Sequence, residues 1–87
     1  WKQDIVNQTQ QVLTRLDELL TTVQSNRSMV LSAHIWMKDM AADFDLMNNV
    51  WSAWFAPGEA PARATSQVVF DEPDIRIEVI VTAAVPS

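Results

Sequence analysis

Ile5, Thr9, Val12, Leu16, Leu19 and Val23 follow one another at intervals of four, three, four, three and four, and Val6, Leu13 and Leu20 flank the same stripe. That spacing is the period of an amphipathic helix with a broad buried face. Asp4 has the short acceptor side chain of an N-cap, and Ser25-Asn26-Arg27-Ser28 reads as the loop that stops the helix, so a helix over residues 4–24 is expected. From Met29 to Met37 the period changes to two. Leu31, Ala33, Ile35 and Met37 fall on one side, and Val30, Ser32, His34 and Trp36 on the other, which predicts a strand with one strongly apolar face.

A second helical stripe follows in Phe44, Met47, Val50, Trp51, Trp54 and Phe55, with Asp43 as its expected cap and Pro57-Gly58 as its stop. After a turn at Pro61, Val68 and Phe70 share one face of an expected strand, with Gln67 and Val69 on the other. Asp71-Glu72-Pro73-Asp74 is a turn by composition. The last strand sets Ile75, Ile77, Val79 and Val81 against Arg76, Glu78, Ile80 and Thr82, and the final two strands read as an antiparallel hairpin. Helix, strand, helix, strand, strand, with no linker or internal repeat, describes one α+β domain over residues 1–87 in which two helices cover one face of a sheet.

Composition narrows the chemistry. With 87 residues the core is small, and without cysteine neither disulfides nor thiolate-bound metal can reinforce it, so association with further copies is the expected reinforcement. His34 is the single histidine, which leaves no zinc cluster. A net charge of −5 with no basic stripe argues against nucleic acid as a partner. One glycine, Gly58, builds neither a Walker loop nor a dinucleotide fingerprint. The apolar runs are too short to span a bilayer, and a soluble, cytoplasmic protein without membrane contact is expected.

Ala60-Pro61-Ala62-Arg63-Ala64-Thr65 places a guanidinium at a turn-to-strand junction, where its planar fork can grip a carboxylate at two points. By position alone Arg63 reads more readily as a surface cation in an ion pair. Glu78 lies fifteen residues further on, inside Ile75-Arg76-Ile77-Glu78-Val79. It is either an outward residue paired with Arg76 or Lys38, or a carboxylate that holds a water. His34 has no acidic partner at a motif spacing and receives no role. The tryptophans and methionines have core spacing, and the Asp71, Glu72, Asp74 cluster lacks the pattern of a calcium loop, so no metal is expected.

Together with Asp43-Phe44 and Met47-Asn48-Asn49-Val50-Trp51, the Pro-Ala-Arg segment and the later glutamate resemble the RidA/YjgF/YER057c/UK114 family, also known as the endoribonuclease L-PSP family, and more closely its YoaB-like branch. The resemblance runs over essentially the whole chain. It implies a chorismate-mutase-like fold with a mixed sheet, homotrimers whose sheets form a central barrel, and clefts between subunits. It also implies an N-terminal β-hairpin, with a tyrosine and a serine that contact substrate, which these residues do not include.

The implied activity is that of an imine deaminase, a hydrolase of metabolite damage control. It converts reactive 2-imino or 2-enamino acids, released by pyridoxal-phosphate enzymes, to 2-oxo acids and ammonia, without a cofactor. By resemblance Arg63 binds the substrate carboxylate, Glu78 positions water, Asn48 lies at the pocket, and Thr65, where many members have cysteine, serves through its backbone N–H. A trimer that binds a small carboxylate metabolite or a partner protein through the same cleft, without catalysis, is the competing expectation. Ribonuclease activity, which the resemblance implies for some relatives, fits poorly with the acidic balance.

Overall fold

In the computed structural model, which describes residues 4–86, the chain runs α1 (Ile5–Thr22), a 3-10 turn (Arg27–Met29), β1 (Val30–Met37), α2 (Met40–Trp54), β2 (Ala62–Gln67) and β3 (Ile77–Ala83). β1, the most buried strand, takes the centre of a three-stranded sheet of order β2-β1-β3. β2 pairs with it in parallel and β3 antiparallel, which makes the sheet mixed, and both helices pack on one face. This is the expected α+β layer.

The expected hairpin between the last two strands is wrong, because β1 separates β2 from β3. The connecting segment wraps around the end of β1 instead. There the Val68 N–H donates to the Met37 carbonyl at 2.9 Å, the Lys38 N–H to the Arg76 carbonyl at 3.0 Å, and Lys38 Nζ to the Pro73 carbonyl. Gln8 of α1 clamps the same segment, donating to the Asp74 carbonyl at 2.7 Å and accepting from the Arg76 N–H at 2.8 Å. The strand expected around Val68 and Phe70 lies earlier, over small and polar residues, and Val69 is 98% exposed. An edge strand held by backbone pairing to β1 has little need of large apolar side chains, so its hydropathy gave a weak signal.

Asp4 caps α1 as expected, accepting from the Asn7 N–H at 2.9 Å. At the other end Ser25 N–H reaches the Leu20 carbonyl and Gln24 N–H the Thr21 carbonyl, a Schellman closure that places Gln24 at φ 61°, where glycine is favoured. Asp39 rather than Asp43 caps α2, accepting from the Ala42 N–H at 3.0 Å. Asp43 is instead buried in the first turn and faces Arg76 Nη1 at 3.5 Å.

The core joins Ile5, Leu13 and Leu20 of α1 and Met47 and Trp51 of α2 to Ala33, Ile35, Met37 and Ile77 of the sheet. Complete burial of side chains such as Ile35, Met37 and Met47 contributes about 1.5–3 kcal/mol each. Leu31 departs from the expected alternation. A bulge between Val30 and Ser32 turns Val30 inward and leaves Leu31 60% exposed. The opposite face of the sheet carries His34, Trp36, Ser66, Glu78 and Ile80, and neither helix covers it.

Candidate functional site

Arg63 pairs in register with Ala33, whose side chain is buried beneath the helices, so the arginine points to the helical side of the sheet from its β2 edge. There it meets α2. Phe44 and Asn48 are four residues apart and therefore share a helical face. Arg63 Nη1 donates to Asn48 Oδ1 at 2.6 Å, and its Cζ lies 5.6 Å from the centroid of the Phe44 ring. Thr65 follows on the same face of β2, half-buried and in register with Ile35.

The electrostatics of this corner differ from those around the other arginines that contact a carboxylate. Arg27 donates through Nε and Nη2 to the two oxygens of Asp17 at 3.0 and 2.9 Å, and through Nη1 to the Trp54 carbonyl. The hydrogen bond that Arg27 donates to Asp17 raises the Arg27 pKa, desolvation opposes that rise, and the charge of Asp17 adds to it. Arg76 faces Asp43. Among the described residues Arg63 has no carboxylate within ion-pair distance, and its hydrogen bond goes to a neutral amide. The half-buried guanidinium therefore has a neutral acceptor and an aromatic ring beside it and no internal counter-charge among the described residues.

Glu78 is not part of this corner. It pairs in register with Trp36 on the uncovered face of the sheet and is exposed. Neither expected ion pair forms, because Arg76 turns to Asp43 and Lys38 to the Pro73 carbonyl. Adjacent strands are about 4.8 Å apart with a rise of about 3.3 Å per residue, so the register places the Cα atoms of Arg63 and Glu78 roughly 14 Å apart. Their side chains leave opposite faces. One chain by itself therefore brings Arg63, Asn48 and Thr65 together and leaves Glu78 behind.

Phe44, read in the sequence as part of the α2 stripe and of the Asp43-Phe44 pair, received no role beside Arg63 there, although its i, i+4 relation to Asn48 was available to find it. His34 also has a polar partner, with Nε2 3.2 Å from Ser66 Oγ and its ring stacked on Trp36 at 4.6 Å.

The family model described as Endoribonuclease L-PSP matches residues 1–85. The RutC family protein YoaB of Escherichia coli is 38% identical over 82 residues, a match covering 94% of this chain and 71% of that protein. A solved YjgF-family protein from Neisseria meningitidis superposes with a TM-score of 0.90 at 37% identity, covering 95% of this chain and 69% of that one. At 32% identity over 77 residues the match extends to a chloroplastic protein of Arabidopsis thaliana named Reactive Intermediate Deaminase A, covering 88% of this chain and 40% of that protein. Helices, mixed sheet, arginine corner and these likenesses agree: the chain belongs to the RidA/YjgF family.

Proposed function

We propose that this protein hydrolyses reactive 2-imino acids, and their 2-enamino tautomers, to 2-oxo acids. The observation that carries the reading is the un-neutralised Arg63 guanidinium, presented by β2 between Phe44 and Asn48. Arg63 holds the substrate carboxylate, and water adds to the electrophilic C=N carbon. The resulting carbinolamine collapses with cleavage of the C–N bond, so that an iminium acid and one water give the 2-oxo acid and ammonium. Holding the imine beside an oriented water supplies much of the acceleration through proximity. The name of the Arabidopsis relative, a reactive intermediate deaminase, supports the same chemistry.

Glu78 positions that water from a neighbouring copy. The separation and opposite facing of Arg63 and Glu78 in one chain support a site assembled between subunits, with the uncovered sheet face as the contact surface of a homotrimer. Thr65 contributes through its backbone at the base of the same cleft. The second reading, a trimer that binds small carboxylates without turning them over, is favoured by one observation: Glu78 stands away from Arg63 within the chain.

The test uses the full-length protein with an imine generated in situ by an amino-acid oxidase, following semicarbazone trapping. Wild type should suppress trapping, Arg63→Ala should abolish that effect, and Arg63→Lys should retain only a remnant because an ammonium lacks the bidentate fork. Binding of a stable 2-oxo acid without any wild-type turnover would leave the carboxylate-binding reading in place of the deaminase.

A further inference from the structure

We infer that Asn48 is a specificity-determining and positioning residue whose neutrality, rather than its bulk, keeps the Arg63 site open to a carboxylate; this rests on Arg63 being the carboxylate anchor. Asn48 Oδ1 accepts from Arg63 Nη1 at 2.6 Å, and the Phe44 ring lies against the guanidinium. A guanidinium only donates, so the atom of Asn48 that faces it is the amide oxygen. One nitrogen of the fork is thereby anchored. The edge formed by Nε and Nη2 has no acceptor among the described residues and is a complete bidentate donor for one carboxylate.

The rest of the molecule shows what a carboxylate does in the same setting. At Arg27 an aspartate takes both Nε and Nη2, the very edge that Arg63 leaves open. An aspartate at position 48 has the same shape as the native asparagine and accepts the same hydrogen bond. It also places a negative charge beside the guanidinium, where it competes with the ligand for the cation and repels the ligand's own charge. Asparagine orients Arg63 without neutralising it. The site therefore selects small anionic ligands because its own acceptor is uncharged.

Asn48→Asp and Asn48→Ala separate this role from a structural one, since the two roles rank the variants in opposite order in ligand affinity and in the same order in stability. Full-length wild type and both variants are titrated calorimetrically with a stable 2-oxo acid, and their thermal melts are recorded in the same buffer. The expected result is a loss of affinity of about tenfold for Asn48→Ala and of about a hundredfold or more for Asn48→Asp, the latter melting no lower than Asn48→Ala. A purely structural asparagine would make the isosteric aspartate the milder change in both measurements. Asn48→Asp binding as tightly as Asn48→Ala or tighter, or melting below it, overturns the inference. Arg63→Ala is titrated alongside: unchanged affinity there refutes the carboxylate anchor itself, whereas lost affinity there with intact binding by Asn48→Asp refutes only the role of Asn48.

Discussion

Two arginines reach α2 from opposite ends, and each lies against one of its aromatic rings, Arg27 4.8 Å from the centroid of Trp54 and Arg63 5.6 Å from that of Phe44. They differ in the acceptor beside the ring. Arg27 has the Asp17 carboxylate and the Trp54 carbonyl, while Trp54 Nε1 also donates to Asp17 at 3.2 Å, so every strong group in that corner is satisfied internally. Among the described residues Arg63 has an amide oxygen alone. The first arrangement is a latch joining α1, the 3-10 turn and α2. The second leaves a cation with unused donors at the edge of the sheet. Nearly the same parts give an ion-paired latch in one place and a cation without an internal counter-charge in the other, according to whether the acceptor carries charge.

The sharpest break of this comparison removes each functional group in turn. Arg63→Ala should eliminate imine hydrolysis with only a modest fall in melting temperature, since a hydrogen bond and a ring contact but no ion pair are lost, and Glu78→Gln should lower turnover by roughly a hundredfold with 2-oxo acid binding retained. Co-refolding the two inactive variants in equal amounts then tests the shared site. If Arg63 and Glu78 act from neighbouring copies of a trimer, random mixing rebuilds intact sites and recovers about a quarter of the wild-type activity. Recovery of none would place both groups in one chain or remove one of them from the mechanism.

The opposite corner gives a smaller effect. Asp17→Asn converts the latch into an amide–guanidinium pair like that of Arg63, and because both partners are more than a third exposed the expected loss is only about 1 kcal/mol, read by denaturant unfolding. Activity should not change. Arg27 is raised above its ordinary pKa, so its share of the latch is complete at neutral pH and is lost only as pH climbs through the folded-state value; unfolding curves on either side of neutrality should show no loss from this group. A large activity defect in Asp17→Asn would mean that the two corners are coupled through α2.

The smallest expected effect lies outside both corners. Gln24 occupies a left-handed position in the Schellman closure of α1, and Gln24→Gly should stabilise the fold by about half a kcal/mol with ligand affinity unchanged. Destabilisation would show that the Gln24 side chain contributes more than its backbone strain removes.

Periodicity identified α1, β1, the stripe of α2 and, of the expected inward set, Ile77, Val79 and Val81 but not Ile75, which precedes β3 and is exposed, because each element buries one face and burial repeats at the period of its backbone; the Asp4 cap followed from residue type. The position of Arg63 at a turn-to-strand junction was legible too, through a motif whose residues are contiguous, and the mixed sheet followed from the resemblance. Strand order was not legible. Which strand takes the centre depends on how β1, β2 and β3 compete for backbone partners, and the apolar run at Val68–Phe70 masked a polar edge strand whose stability comes from pairing with β1. The cap of α2 expected at Asp43 falls instead to Asp39, and the packed sheet brings Arg76 against Asp43. The sequence by itself determined which residues carry charge and which repeat with a buried face. Only the tertiary structure decided that Asn48 faces Arg63 while Glu78 leaves the other side of the sheet, since facing across strands is set by register, a relation between segments that no single segment encodes.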